Sequence, residues 1–341
     1  MRRRSGGDSR AALLVMARSS EVPEQLRRAP FLGRKAIAAG LLTRRQLQSR
    51  TWVPMLRDVF VHRDVQQSDA VRARALLLVM PSDAIIAGRT AAWLQGVWRT
   101  RPGVPVPLEY ARPRDADGRG ILGASLSRRV IRLADDEWSD VTEVAGVPVM
   151  SPMRTCFDLM RERALVEAVV VADAYARSGQ LSLPWLAAYV RSHDRWPGVR
   201  VARDACEFAS ARSRSAGESR LRMVVVLAGF PVPLVNPPVY TGTTPVILCG
   251  HPDLVIVVQC PVLGLEYDGA YHNAYEQRQA DNRRENRLLT MAGLPLLRYG
   301  ARSVLYERSL IVAEVSAMTG LRSPWPIRDE DFRRPPPARA W

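Results

Sequence analysis

The residues best suited to chemistry lie in one stretch, HPDLVIVVQCPVLGLEYDGAYH, at positions 251–272. Side chains two residues apart on a strand project from the same face, so Glu266 and Asp268 are expected to be neighbours while Tyr267 points the other way. If PDLVIVV and VLGLEYDG pair as antiparallel strands, Asp253 also lies close to these two carboxylates. The sequence therefore predicts a cluster of three acids.

A cluster of buried carboxylates requires a cation or a proton. Two carboxylates about 5 Å apart repel by roughly 3 kcal/mol at an effective dielectric constant of about 20. Oxygen ligands of this kind suit Mg²⁺ or Mn²⁺, and a bound divalent ion can activate water and stabilise the charge that grows on a phosphodiester. The alternative is that one acid lies in solvent at a strand end and another caps a turn, because Asp268-Gly269 is a common turn dipeptide.

A polar helix rich in arginine is predicted at about 275–292, after the acids. Asn282 and Asn286 lie between its arginines at helical spacing. The arginines of this helix are Arg278, Arg283, Arg284 and Arg287. Guanidinium groups beside a metal-binding acid cluster suit the phosphates of a nucleic acid, so we expect Arg283, Arg284 and Arg287 to contact phosphates. The competing interpretation is a solvated helix whose acidic residues form ion pairs with these arginines.

Four segments of the C-terminal third carry a resemblance to a known nuclease family. They are GESRLRMVVVLAGFP (217–231), HPDLVI (251–256), LEYDGAYH (265–272) and DNRRENRLLTMAGLPLLR (281–298). In this order they resemble the Vsr-like (very-short-patch-repair) endonuclease domain, which belongs to the PD-(D/E)XK restriction-nuclease fold. The resemblance spans about residues 210–310 and implies a restriction-endonuclease-like α/β domain with a mixed sheet.

The same resemblance implies roles for individual residues. Glu218 would be the helix acid that completes a site for Mg²⁺ or Mn²⁺, with Asp253 as its central ligand and Glu266 as the second strand acid. Asp268 stands where the general PD-(D/E)XK pattern has a lysine, and it would act as a ligand or a base. His272 would polarise the attacking water, lie in the second shell of the site or contact a phosphate.

Near the N-terminus, the spacing predicts two short helices and a hairpin. A helix over 33–39 ends at Gly40, and Thr43 caps a second helix, TRRQLQSR. The segment 53–62 is predicted to form a β-hairpin. This order outlines a winged helix, whose recognition helix would carry Arg44, Arg45 and Arg50. The alternative is a small helical cap with a solvated basic face.

The N-terminal half also resembles a known family. The segments AIAAGLLTRRQLQSR, LRDVFVHR, AGRTAAWLQGVW and GVPVMSPMRTCFDLMR are similar, in this order, to AbiEi-type antitoxins and transcriptional regulators. The similarity covers roughly residues 28–175. It implies an N-terminal winged helix, DNA as a partner and a cognate toxin protein as a further candidate partner.

Composition and charge exclude some classes of function and favour others. The 341 residues are 47% hydrophobic and carry a formal net charge of +15. The arginine excess favours a polyanionic partner, and Lys35 is the only lysine, which excludes a catalytic lysine elsewhere in the chain. The four cysteines form no CxxC pair, and no apolar run approaches the ~20 residues that cross a bilayer. We therefore expect a cytoplasmic protein without a zinc ribbon or a membrane span.

The order of the predicted elements indicates an α+β fold overall. We expect a basic disordered arm (1–27), a winged helix (28–70), a mixed α/β regulator region (71–150), a helical segment (151–210), a Vsr-like nuclease domain (211–320) and a disordered tail (321–341). The leading hypothesis is a DNA-binding protein whose endonuclease domain hydrolyses phosphodiester bonds with Mg²⁺. The alternative is a non-catalytic AbiEi-type antitoxin or transcriptional regulator with a degenerate nuclease fold.

Overall fold

A computed structural model gives the fold of most of the chain. The structure describes residues 22–80, 82, 84–98, 104, 106–113, 129–133, 140–242, 244–258, 262–269 and 275–332. The chain forms two compact units, the first comprising 1–80 with 101–105 and the second 81–100 with 106–341. Both units contain helices and sheets, which confirms the α+β fold.

The first unit packs short helices against a small antiparallel sheet. Its elements are β1 (Phe31–Leu32), α1 (Gly33–Ala38), α2 (Arg44–Leu47), β2 (Trp52–Leu56), β3 (Val59–His62) and α3 (Asp69–Leu77). β3 lies between β1 and β2 and pairs antiparallel with both. Leu26, Ala36, Leu42, Leu47 and Trp52 form its buried core. The predicted order of two helices followed by a hairpin is confirmed.

Local sequence sets the ends of α1 and α2. Gly40 follows α1 with a left-handed φ of 69°, which glycine adopts without steric cost. The Thr43 hydroxyl accepts a hydrogen bond from Gln46 N, and Gln46 Oε1 accepts one from Thr43 N, so the two residues form a capping box. Because α2 ends at Leu47, Arg50 lies in the turn before β2, and its predicted place on the helix is wrong.

The described part of the second unit includes a five-stranded mixed sheet. Its elements are β4 (Ile85–Ile86), α4 (Gly88–Leu94), β5 (Glu109–Pro113), β6 (Arg129–Leu133), β7 (Val141–Val144) and β8 (Val147–Met150), in the sheet order β6-β5-β4-β8-β7. β7 and β8 form a hairpin, because they pair antiparallel around Ala145 and Gly146. Both residues have positive φ, which a tight hairpin turn favours.

Helices follow this sheet in the second unit: α5 (Pro152–Arg161), α6 (Leu165–Arg177), α7 (Leu183–Ser192) and α8 (Val199–Phe208). The Ser151 hydroxyl caps α5 by accepting a hydrogen bond from Arg154 N. Residues 162–164 separate α5 from α6. Ala164 adopts an extended backbone and starts α6, so the apolar faces of α5 and α6 can fold onto one core.

The C-terminal part of the second unit contains the predicted strands and helices. They are α9 (Ala216–Leu227), β9 (Leu234–Val235), β10 (Val239–Tyr240), β11 (Leu248–Gly250), β12 (Leu254–Ile256), β13 (Leu263–Asp268), α10 (Tyr275–Ala292), β14 (Leu296–Gly300), α11 (Ala301–Tyr306) and α12 (Arg308–Thr319). α9 begins after Ser215 and not at Glu218, because the Ser215 hydroxyl is the cap. α11 and α12 meet at Glu307.

A mixed sheet of the order β14-β13-β12-β9 organises this region. β13 and β14 run parallel, whereas β12 pairs antiparallel with β13 through Leu254 and Leu265, as predicted. α9, α11 and α12 cover the face that carries Leu254 and Leu265. On the other face, Leu288 of α10 packs with Val255 and with Cys249 of β11. The sheet therefore lies between α9 and α10.

Part of the predicted disordered tail, which belongs to the second unit, packs against α9 and α12 and the residues that follow them. The Ser323 hydroxyl donates to Ala228 O at 2.7 Å, and the Arg308 guanidinium lies 4.3 Å from the centre of the Phe332 ring. Residues 333–341 and residues 1–21 of the predicted arm lie outside the described residues. None of the described helices has the length and apolarity that a membrane crossing needs.

Candidate active site and nucleic-acid interface

Three of the predicted acids come together from three different elements. Glu218 lies in the first turn of α9, Asp253 precedes β12, and Glu266 lies near the end of β13. Since Leu254 pairs with Leu265, the next residues of the two strands, Asp253 and Glu266, reach the same end of the pair. We call Glu218, Asp253 and Glu266 the acid cluster.

The Glu218 carboxylate is buried and held at the start of α9. Its side chain accepts hydrogen bonds at Oε2 from Arg214 N at 2.8 Å and from Asn236 Nδ2 at 3.1 Å. Its backbone N–H donates to the Ser215 hydroxyl, which fixes the first helical turn. A carboxylate in this position is also favoured by the helix dipole. Glu218 is therefore ordered before any ligand binds.

The carboxylates of Glu218 and Glu266 both affect the pKa of Asp253. Burial and, next, the Glu218 carboxylate raise the pKa of Asp253 to about 6, and Glu266 adds to the effect. The Tyr267 N–H, which donates to Asp253 Oδ2 at 2.9 Å, and Arg284 act in the opposite direction and lower this pKa. The effects that disfavour the charged form of Asp253 are therefore larger than those that favour it.

Glu266 is paired with two arginines. Arg284 Nη2 lies 2.9 Å from Glu266 Oε1, and Arg298 Nε donates to Glu266 Oε2 at 3.1 Å. Arg298 also pairs with Glu285 of α10 at 2.9 Å. Neither Glu266 Oε1 nor Arg284 Nε has a well-aligned hydrogen bond within the described residues. The Arg284 contact therefore compensates the charge of Glu266 without completing its hydrogen bonding.

The predicted phosphate-binding arginines of α10 differ in their surroundings. Arg283 and Arg287 are exposed, and neither forms an ion pair with a described residue. The side chain of Arg284 instead crosses Gly250, where an added Cβ would lie 3.1 Å from Arg284 Cγ, and it ends at Glu266. A phosphate contact by Arg284 would compete with this ion pair.

The remaining two predicted catalytic residues are Asp268 and His272, and only Asp268 lies in the described part of the chain. Asp268 is exposed at the end of β13, beside Gly300 of β14. Tyr267 projects from the opposite face, as predicted, and packs so closely against Gly217 that a Cβ there would clash with its ring. His272 lies outside the described residues.

The acid cluster suits a hard divalent cation by its chemistry, though not by its present spacing. Carboxylate oxygens are the ligands that Mg²⁺ prefers, and Glu266 Oε1 is buried without an aligned hydrogen bond. Within the described part of the chain, however, no three Asp, Glu, His or Cys side chains are close enough to hold one ion. The predicted convergence of Glu218, Asp253, Glu266 and Asp268 on one pocket is therefore not reached in this conformation.

Asn236 belongs to this site and was not predicted from the sequence. It adopts a left-handed φ of 47° directly after β9. Its backbone N–H donates to Asp253 O at 2.8 Å, and its Nδ2 donates to Glu218 Oε2 and to Arg212 O. An asparagine at the end of a predicted strand could have indicated a left-handed residue there, because asparagine tolerates the left-handed region better than most residues.

The first unit exposes an excess of basic side chains. Residues 28–63 contain eight arginines and lysines and one acid, Asp58. Arg44 and Arg45 are exposed on α2, and Arg57 is exposed in the turn between β2 and β3. Asp58 is already paired with Arg34 at 3.5 Å, so it offsets little of this charge. Such a surface favours a polyanion.

No protein-family model, curated protein or solved structure matches this chain. The similarity to Vsr-like endonucleases and to AbiEi-type regulators therefore depends on the sequence segments quoted above. The geometry of the acid cluster and the charge of the first unit are independent of it.

Asp253 gives the protein a characteristic dependence of stability on pH. Its pKa in the folded state, about 6, lies above the value of about 3.9 expected in the unfolded chain. Between these values the folded state binds more protons than the unfolded state, so the free energy of unfolding falls as pH rises. The stabilising contribution of the protonated form is lost as the pH rises through about 6.

We expect Asp253→Asn to raise the free energy of unfolding by about 2 to 3 kcal/mol at neutral pH, and by little near pH 4. At neutral pH the uncharged amide removes the cost of a buried charge at position 253 and its repulsion by Glu218 and Glu266. At pH 4 Asp253 is already protonated in the folded state, so the substitution changes little. Urea unfolding at both pH values measures the difference. Asp204→Asn on α8 is the matched control, and an equal gain from Asp253→Asn at both pH values would contradict the assignment.

Proposed function

We propose that this chain is a DNA-binding protein whose second unit contains a metal-dependent endonuclease domain of the Vsr-like, PD-(D/E)XK type. The observation that carries this proposal is the acid cluster, in which burial and the neighbouring carboxylates raise the pKa of Asp253 to about 6. Carboxylates placed together at a cost in repulsion are typical of functional sites. The mixed sheet between α9 and α10 supports the same class of domain.

In this proposal Glu218, Asp253 and Glu266 hold Mg²⁺ or Mn²⁺ after a rearrangement that brings their oxygens together. When bound, the ion supplies a polarised water and stabilises negative charge on the phosphodiester. Asp268 serves as a further ligand or a base. The exposed Arg283 and Arg287 bind neighbouring phosphates.

The test of catalysis is nicking of a supercoiled plasmid by the purified full chain with Mg²⁺ or Mn²⁺. We expect the unaltered protein to nick the plasmid and Glu266→Ala to lose this activity. EDTA should abolish the activity of the unaltered protein. Equal nicking by both proteins would show that a contaminating nuclease, and not the acid cluster, cleaves the DNA.

The first unit is proposed to be the winged helix that positions this domain on duplex DNA. Its helix–turn–helix–hairpin order and its exposed arginines support this role. Arg44 and Arg45 on α2 are the first candidates for contacts to DNA, and Arg57 in the turn of the hairpin is a third.

Replacing both α2 arginines should weaken DNA binding in a salt-dependent way. We expect Arg44→Ala/Arg45→Ala to reduce the slope of log affinity against log salt concentration by about 1.8, because two phosphate contacts are lost. Fluorescence anisotropy with a mixed-sequence duplex in EDTA measures this slope. Arg28→Ala/Arg63→Ala is the matched control, since both side chains are exposed and have acidic partners. A slope equal to that of the control would contradict the proposed role of α2.

A second candidate function is a non-catalytic regulator of the AbiEi type that binds DNA and a cognate toxin. The observation that favours it is the pairing of Glu266 with Arg284 and Arg298, which supplies positive charge without a metal ion. Asp268 in place of the usual lysine agrees with a loss of catalysis. A gel shift in EDTA with the DNA upstream of its own gene tests this function, and binding insensitive to salt would contradict it.

A further inference from the structure

The loop that connects α8 to α9, residues 210–215, is fixed by contacts from two sides. On the helical side, Ser210 N donates to Asp173 Oδ1 at 2.6 Å, and Arg177 Nη1 donates to Ser213 O at 3.0 Å. Both partners lie on α6, which packs within the core of the second unit. We call this segment the 210–215 loop.

On the other side, the same loop is bound to the acid cluster. Arg214 N donates to Glu218 Oε2 at 2.8 Å, and Arg212 O accepts a hydrogen bond from Asn236 Nδ2 at 2.9 Å. Asn236 Nδ2 also donates to the same Glu218 oxygen. The backbone atoms of Arg212 and Arg214 are thereby held next to one carboxylate of the acid cluster.

The side chains of Arg212 and Arg214 are exposed and form no ion pair or hydrogen bond with a described residue. Nearby arginines of α9 behave differently: Arg220 forms a bidentate pair with Glu167, and Arg222 pairs with Asp173. The second unit thus holds two guanidinium groups on an ordered backbone and leaves their charge uncompensated.

We propose that Arg212 and Arg214 form a phosphate-binding site that holds the backbone of duplex DNA beside the acid cluster. Guanidinium groups bind phosphate oxygens through paired charged hydrogen bonds. Because hydrogen bonds already hold the backbone of the 210–215 loop, little backbone entropy remains to be lost on binding. The α9 side of the acid cluster then contacts one stretch of backbone, while Arg283 and Arg287 serve the α10 side.

This inference depends on the proposed binding of DNA by the second unit but not on cleavage. The test therefore measures binding by the full chain in EDTA, with fluorescein-labelled mixed-sequence duplex DNA, between about 50 and 200 mM NaCl. The variant is Arg212→Ala/Arg214→Ala. Arg200→Ala/Arg203→Ala is the matched control, because these substitutions remove the same charge from two exposed side chains of α8, outside the 210–215 loop.

We expect Arg212→Ala/Arg214→Ala to weaken binding by about tenfold or more at moderate salt and to reduce the salt slope by about 1.8. The control should lose less than about threefold, from its change in net charge alone. Repeating both measurements with Arg44→Ala/Arg45→Ala present prevents contacts of the first unit from masking the difference. Arg212→Lys/Arg214→Lys keeps both charges and should restore most of the slope.

Equal affinity and equal slope for the 210–215 loop variant and its control would overturn the proposal. So would a loss of slope that Arg212→Lys/Arg214→Lys does not restore, because the defect would then be structural. Plasmid nicking by the unaltered chain is measured separately. If it fails while the loop variant still weakens binding, the nuclease proposal falls and the phosphate-binding site stands.

Discussion

If the second unit cleaves DNA as proposed, Asp253→Asn is expected to lower this activity by about a hundredfold to a thousandfold while making the folded protein more stable at neutral pH. The two effects have one cause, which is the removal of a negative charge that burial and the Glu218 and Glu266 carboxylates disfavour. A purely structural residue would lose activity together with stability. A loss of activity together with a gain in stability would therefore identify Asp253 as a residue that acts in catalysis and does not stabilise the fold.

The measurement combines single-turnover cleavage of plasmid DNA with urea unfolding of the same preparations. Asp204→Asn on α8 makes the same chemical change outside the acid cluster and should alter neither quantity appreciably. Unchanged cleavage by Asp253→Asn would remove the proposed metal site. Loss of cleavage with loss of stability would indicate that Asp253 supports the fold of the strand end.

Asp173→Ala is expected to lower the free energy of unfolding by about 3 to 5 kcal/mol. Asp173 is fully buried on α6, where its carboxylate accepts hydrogen bonds from Arg222 Nη2 at 2.7 Å and from the Ser219 hydroxyl at 2.6 Å. Its other oxygen accepts the Ser210 N–H. Removing this carboxylate leaves the buried Arg222 charge without its partner and frees one end of the 210–215 loop.

A second substitution separates charge burial from packing. Asp173→Ala/Arg222→Met should recover much of the lost stability, since an apolar pair of similar volume avoids the uncompensated charge. Arg302→Ala is the control, because its ion pair with Glu307 is exposed and should contribute about 0.5 kcal/mol or less. A loss below about 1 kcal/mol for Asp173→Ala in urea unfolding would contradict the assigned role of this pair.

Much of the acid cluster could be predicted because its geometry follows from strand periodicity. The alternation of Glu266 and Tyr267 and the antiparallel pairing of their strand with the one after Asp253 are both present. The position of Glu218 near Asp253 came from a resemblance and not from the residues, because α9 lies far from β12 in the chain. Only the packing of α9 on the sheet brings this carboxylate to the strand ends.

Other contacts of the site could not be predicted from the periodicity of the sequence. The charge run of α10 allowed two interpretations, phosphate binding and ion pairing, and the structure places its arginines in different surroundings. Arg284 crosses Gly250 to reach Glu266, whereas Arg283 and Arg287 remain exposed. Whether an arginine of α10 is exposed or forms an ion pair depends on which face of α10 packs on β11. The charge of the side chains alone does not specify that face.

The sequence by itself determined the local elements: the capping box of Thr43, the glycine at the end of α1, the hairpin turn at 145–146 and the alternation along β13. Each depends on residues only a few positions apart, whose backbone preferences and hydrogen bonds are short-range. Tertiary structure alone decided that Asn236 joins Glu218 to Asp253, and that the 210–215 loop is fixed beside them. These contacts join distant segments, and they form only when buried apolar surfaces have brought α6, α9 and the sheet together.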